Sequence, residues 1–422
     1  MIEKLLKENP LVDDYRISSV KTVSYEVFFV HRKLETVRAT DTLSTDVTVY
    51  VRHDGKVGDS TFSVYPSMTE DDVRAKISAA ANRAKLVFNE PYEIPAGDKK
   101  DMVLPSNLEG KDLPTLANEI ADAVFAADCY QGGSINATEV FLYQDTTTVK
   151  NSRGVDKSQV KTHVMIEAIP TWNEGNESVE LYEDHRFTDF DPAAVTAEID
   201  RRMQEVRDRQ LAVKPQTPMV CNVVLGPHEI ASLLRNIVSS LDYSAVYSHS
   251  NLYKIGDDLQ SGGDGDKLSI TMAGQLRGSV HSASFDDDGL DLGEKTVIRD
   301  GVVESYFGSN RFACYLGLEP TGALRCAKVQ PGTLTQQELE QAPYLECMSL
   351  SGLQVDLFAD YIGGEIRLAY YFDGEKKIPV TGISMSGRLS EVIKSLRLWN
   401  TTTVSGNYEG PEKLMMKNVN VL

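Results

Sequence analysis

The pattern of apolar and polar positions divides the chain into two halves. In "VSYEVFF" the odd positions Val23, Tyr25, Val27 and Phe29 are apolar, which is the two-residue period of a half-buried strand. The run "TDVTVYVRHDGKVGDSTFSVY" puts Val47, Val49 and Val51 on one face. It then meets Asp54-Gly55, a dipeptide that favours a tight hairpin. Thr69 is placed to cap a helix with Asp72 in its first turn and an apolar stripe of Val73, Ile77, Ala80, Ala81, Ala84 and Val87. "KDLPTLANEIADAVFAAD" predicts a second helix behind Asp112, with Leu116, Ile120, Ala123, Val124 and Ala127 on one face. "DFDPAAVTAEIDRRMQEVRDRQL" predicts a third, capped by Asp191 and opened by Pro192. Between these two helices the chain reads as strands joined by a turn at Asn151–Gly154.

The stretch "AVKPQTP" (212–218) has two prolines and no periodicity, so a domain boundary is expected there. Beyond it come short strands with many Gly, Asp and Ser turns. The expected fold is α+β in two domains: an N-terminal antiparallel sheet with helices over 1–212, and a C-terminal β-rich domain with few helices over 219–422. The clearest helix of the second half starts at Pro227, with Ile230, Leu233, Leu234, Ile237, Val238 and Leu241 as its apolar stripe. No repeat of fixed period is present.

Composition adds exclusions. At 422 residues, 41% hydrophobic and 25% charged, the chain has an ordinary globular make-up with room for two or three domains. "MIEKLLKENP" lacks the apolar stretch of a secretion signal, and no run approaches a membrane span, so a cytoplasmic protein is expected. Five cysteines, an odd number without a CxxC pair, fit reduced and mostly buried thiols. A formal net charge of −19 repels the nucleic-acid backbone, so no direct nucleic-acid contact is expected.

Candidate chemistry centres on "LGPHEIASLLRN" (225–236), where His228-Glu229 open the helix. A zinc-peptidase helix carries a second His one turn later, and Ser232 and Leu233 stand there instead. The plain reading is first-turn polar residues, with Glu229 favoured by the helix dipole. The acidic loops at 262–266 and 286–289 fail the EF-hand template. Counting from Gly289, position 1 is Ser284 and position 12 is Lys295; from Gly265 they are Gln260 and Thr271. "GISMSG" is one residue too long for a nucleophile elbow, and "SGGDGDK" is not a phosphate loop. His249 and His281 share the second half with His228, which leaves a nonlocal metal cluster open.

Several segments together resemble the TldD/PmbA family, whose members carry labels such as modulator of DNA gyrase and peptidase. "FFVHRKLETVRATDTLSTDVTVYVRHDGKVGDSTFS" is similar to its opening hairpins, including the Gly-x-x-Gly of "DGKVGD", and "VKNSRGV" to its Asn-Ser-x-Gly turn. "CNVVLGPHEIASLLRNI" resembles the strand and helix that open its C-terminal domain. "SFDDDGLDLGEKTVIRDGVVESYFGSNRFACYLGLEPTG" resembles its DDxG strand, "DGV" turn and following "TG", and the ends "GEKKIPVTGISMSG" and "GPEKLMMKNVNVL" fit as well. The resemblance implies a two-domain fold and a dimer enclosing a wide space, where a zinc subunit cleaves small or unfolded peptides. TldD-like members carry a His-Glu-x-x-x-His helix and a late cysteine as zinc ligands. Here His228 and Glu229 match the first two positions, Leu233 stands at the second His, and the last cysteine is Cys347. The chain thus resembles the PmbA-like (TldE-like) members: a non-zinc subunit, any zinc being held by a TldD-like partner. Its expected site residues are the degenerate pair His228 and Glu229 and the family loop Asp287, Asp288 and Gly289. The alternatives are an active metallopeptidase with a rearranged site, or a homodimeric peptide-binding or regulatory protein.

Overall fold

The computed structural model describes residues 1–174 and 177–422. The first half runs α1 (Ile2–Glu8), β1 (Asp14–Val30), β2 (Lys33–His53), β3 (Lys56–Val64), α2 (Glu70–Ala84), β4 (Lys99–Val103), α3 (Leu113–Ala126), β5 (Gly133–Asn151), β6 (Asp156–Glu174), β7 (Glu177–Glu180), β8 (Glu183–Phe187) and α4 (Pro192–Leu211). Among the described residues these strands form one sheet in the order β3-β2-β1-β5-β6-β4, with β7 and β8 paired to β6. The pairing is antiparallel except at β4, which runs parallel to β6.

The local signals explain these elements. Asp54 and Gly55 both take positive φ, at 50° and 72°, as a two-residue hairpin with the twist of its strands requires. Thr69 and Asp72 form a reciprocal capping box, and Asp112 and Asp191 cap α3 and α4. The stripe of α2 ends at Ala84. Val87 lies beyond the helix in a turn, its N–H on the Ala84 carbonyl at 3.0 Å.

Two cores lie on opposite ends of the sheet. Helices α1 and α2 cover Ile17, Val47, Val49 and Phe62, while α3 and α4 cover Val140, Leu142, Val164, Ile166 and Ala168. β2 is 21 residues long, about 70 Å at the usual rise. β3 pairs only with its residues 45–53, so 33–44 has no strand on its outer side among the described residues. Leu34, Val37 and Leu43 are exposed along that edge.

The second half runs β9 (Met219–Leu225), α5 (Pro227–Ser239), α6 (Tyr243–Tyr247), β10 (Ile270–Ala273), β11 (Glu294–Arg299), β12 (Val302–Val303), α7 (Asn310–Leu316), β13 (Cys326–Val329), α8 (Gln336–Leu339), β14 (Tyr344–Asp356), β15 (Tyr361–Phe372), β16 (Lys377–Val380), β17 (Ile383–Arg388), α9 (Leu389–Ser395), β18 (Arg397–Leu398), β19 (Thr402–Ser405), β20 (Tyr408–Pro411) and β21 (Leu414–Val421). One sheet has the order β12-β11-β10-β13-β20-β19. The other runs β14-β9-β21-β17-β15-β16 and, because β14 also pairs with β15, closes into a ring of five strands. A single core joins α5 to both sheets: Leu233 and Ile237 pack with Val223, Ile298, Leu345 and Ile366. The whole is a mixed α+β fold, strand-rich with few long helices. Of the five free thiols Cys326 and Cys347 are buried, Cys221 is half-buried, and Cys129 and Cys314 are exposed, so the expectation of mostly buried cysteines is corrected.

Candidate functional site

Helix α5 begins at Gly226 and Pro227 and presents two different faces. A helix turns about 100° per residue, so the successive residues His228 and Glu229 point apart. His228 is exposed. Glu229 faces inward, and burial raises its carboxyl above the usual glutamate range. Its own backbone N–H, His228 and Arg202 oppose that rise, and Glu205 adds to it. On the same inner side Cys347 is buried, and burial first, then Glu229, Cys221 and Glu346, push its thiol well above the ordinary range. Burial likewise pushes Cys221 up to about 11. These are protonated, inert sulfurs at neutral pH.

The neighbours Arg202 and Glu205 come from α4. Glu205 is buried, paired with Arg201 and, at 2.9 Å, with Arg202. One turn on, Asp208 accepts a 2.6 Å hydrogen bond from Tyr370 of β15, and Val213 bridges to Val380. The first half is thus tied to the closed sheet beside α5.

A zinc ion does not fit this arrangement. Leu233, at the position of the second His, is 0% exposed within the core. His228 is at the surface, His249 sits in the turn after α6 with φ 55°, and His281 lines a cavity on the other side of α5. Among the described residues no group of three or more His, Cys, Asp and Glu side chains is placed to hold a metal. The three histidines are therefore not brought together.

The outer face of α5 lines a cavity of about 520 Å³ through Ala231, Leu234, Arg235 and Val238. Met272, Phe307, Leu324 and Tyr408 complete its apolar floor, with His281, Arg325 and Asp242 around it. Partial desolvation, then Lys161, Arg186, Arg325 and Arg235, hold the His281 imidazole below the usual histidine range. Of these residues the sequence singles out His281 as candidate chemistry and Leu234 and Val238 as apolar positions of α5. The others lie on separate elements whose approach no local pattern encodes; for Arg235 the one signal is a cation on the polar side of an amphipathic helix.

The acidic loop 285–291, which fails the EF-hand template, is a clasp between the halves. Asp286 is buried and accepts N–H bonds from Asp288 and Leu290 at 3.0 Å and from Ala323 at 3.1 Å. Burial and the nearby Asp288 raise its carboxyl against those bonds. Asp288 pairs with Arg16 of β1, and Asp291 with Lys157 at 2.9 Å and Lys100 at 3.4 Å. Gly289 takes φ 84°, and a Cβ there would lie 2.5 Å from Val155. Asp287 is 81% exposed beside Arg325. Phe285 packs with Val149 and Val155.

Comparison with known proteins places this geometry. Residues 218–422 match the family model described as the PmbA/TldA metallopeptidase C-terminal domain. The second half thus carries a metallopeptidase-related domain in which Leu233 of α5 is part of the core. A metalloprotease of Methanothermobacter thermautotrophicus is 27% identical over 223 residues, 47% of this chain and 47% of that protein, so the match spans about half of that relative's length. The metalloprotease PmbA of Escherichia coli is 21% identical over 422 residues, covering 94% of this chain and 88% of that one. Among solved structures, TldE of Thermococcus kodakarensis superposes with a TM-score of 0.81 at 15% identity, covering 100% of this chain and 98% of that one, a likeness of fold. Over residues 218–422 the chain carries the C-terminal domain of the TldD/PmbA family.

Proposed function

We propose that the chain is the non-zinc, PmbA/TldE-like subunit of a TldD/PmbA-type peptidase system. It shapes the space in which a zinc-bearing, TldD-like partner cleaves or matures small or unfolded peptides. The observation that carries this reading is Leu233: the helix that resembles the family's metal helix keeps its place and packing, but commits the second ligand position to the core. The open edge of β2 supports pairing, because an exposed strand edge with Leu34, Val37 and Leu43 beside it invites a second chain. Two relatives named as metalloproteases link the family to proteolysis. The net charge of −19 supports action without contact to DNA. Five unpaired thiols, and the lack of any helix long and apolar enough to cross a membrane among the described residues, support a cytoplasmic setting.

The test is reconstitution. The purified chain mixed with a TldD-like zinc protein is expected to elute as a stable complex that cleaves unfolded peptides, while the chain alone holds no stoichiometric zinc and cleaves none. One zinc per chain with peptide cleavage by the chain alone would overturn the reading.

A further inference from the structure

The cavity on the outer face of α5 lies apart from His228 and Glu229 and has a chemistry of its own. In a chain with 62 acidic and 43 basic residues, its rim gathers Arg235, Arg325 and His281 over an apolar floor. Arg235 is exposed and forms no ion pair among the described residues. Among the described residues the Arg325 guanidinium pairs with Asp287 alone, at 3.3 Å and in solvent, a contact that contributes little. His281 is fixed by its turn, its backbone N–H donating to Ser279 Oγ at 3.1 Å. Lys161 of β6 anchors the same turn from behind, donating to the Val280 carbonyl at 2.7 Å. At the other end Asp242 caps α6 through the Ser244 N–H at 2.8 Å.

The charges select the ligand. Arg235 and Arg325 carry two positive charges, Asp287 partly offsets one, and Asp242 repels a second negative group; Lys161 and Arg186, which also act on His281, have Asp145 and Asp184 beside them. The balance suits one carboxylate rather than a phosphate with two charges. The volume lies within the usual range of small-ligand sites, and Leu234, Val238, Met272 and Leu324 offer apolar contact next to the cations.

We propose that this cavity binds the C-terminal end of a short peptide, its last apolar side chain on Leu234, Val238, Met272 and Leu324 and its free carboxylate against Arg235, Arg325 and His281. The inference rests on the reading of the chain as a peptide-handling subunit. It adds a selection for free C-termini, as a chamber that receives fragments already cut would need.

The test uses the full chain and a fluorescent tetrapeptide ending in leucine, as the free acid and as the C-terminal amide, with octanoate as a competitor. The free acid is expected to bind at least tenfold more tightly than the amide. Arg235→Gln, at an exposed position that leaves the core intact, is expected to remove the preference, and Lys21→Gln, on the distant β1, to keep it. The His281 ring resonances should shift with the acid and not with the amide. Equal binding of acid and amide, no binding of either, a preference that survives Arg235→Gln, or displacement by octanoate at the peptide's own affinity would each overturn the inference. Complex formation with a zinc partner is scored separately, so either idea can fail alone.

Discussion

At the scale of single residues, the three aspartates of "FDDDG" have three different fates. Asp286 organises the clasp through three backbone N–H groups, Asp288 reaches Arg16, and Asp287 stands in solvent. Asp286→Ala leaves those buried donors unpaired and is expected to cost about 2–4 kcal/mol, whereas Asp287→Ala should stay within about 0.5 kcal/mol. Denaturant unfolding of the two variants checks this, and similar losses would refute the assignment. The expected loop residues Asp287, Asp288 and Gly289 leave out Asp286, because three adjacent carboxyls look alike until the fold buries one. His228 and Glu229 were legible as the start of a helix. That they diverge to opposite environments follows from helix geometry, but which side is the core depends on strands far away in the chain.

At the scale of elements, caps and periods were legible wherever the signal was local: Thr69, Asp112 and Asp191 each cap the helix that their sequences announce. The Gly-x-x-Gly of "DGKVGD" has two separate causes. Gly55 turns the hairpin with φ 72°, while at Gly58 β3 runs so close to α2 that a Cβ would lie 1.7 Å from the Ala84 carbonyl. Gly58→Ala must push helix and strand apart and is expected to cost more than about 2 kcal/mol in thermal unfolding, far beyond what the same change costs at open Gly406, whose Cβ would meet nothing within 4 Å apart from the strain of its φ of 56°. Between strands, Glu346 of β14 accepts from Lys377 at 2.8 Å and meets Lys413 at 2.6 Å. Burial alone would raise its carboxyl, but Lys413 and Lys377 outweigh it and hold it below the usual glutamate range. The folded state therefore binds fewer protons than the unfolded one. Its contribution is whole above the unfolded value of about 4.3 and fades as pH falls through the folded value. Both lysines are partly exposed, so Glu346→Gln should cost about 1–2 kcal/mol at pH 7. The gap to the wild type should narrow below about pH 4; a gap independent of pH would show that packing, not charge, is responsible. No local pattern announces this trio, since its members are 31 and 67 positions apart (377 − 346 and 413 − 346).

At the scale of the molecule, the strand-rich α+β character was visible in the alternation of the sequence, but the closed ring β14-β9-β21-β17-β15 was not. Its closing pair β14–β15 is a local hairpin, but β9 must meet β14 and β21 far along the chain, and register between distant strands leaves no mark in a local period. The clasp between halves is likewise nonlocal. Lys157 is 5% exposed and paired with Asp291, so Lys157→Met is expected to loosen the loop 284–294 without unfolding either core. Limited proteolysis should cut there several times faster, with the helices α3 and α4 still protected; unchanged cutting would mean that Phe285 and the Arg16–Asp288 pair hold the loop without Lys157. The same strand β6 turns Lys157, Gln159 and Lys161 toward this loop, and Val164, Ile166 and Ala168 the other way, toward α3 and α4. Arg16 and Asp288 lie 272 positions apart. At about 5–20 residues per second a ribosome adds the second about 15–50 s after the first. For that interval the face awaiting the loop stands in water; beside Val149 and Val155, which later receive Phe285, it presents amines and an amide that water solvates. The apolar face needs only helices made from nearby chain. The half synthesised first can thus fold and wait with most of that face polar, for the half that completes it.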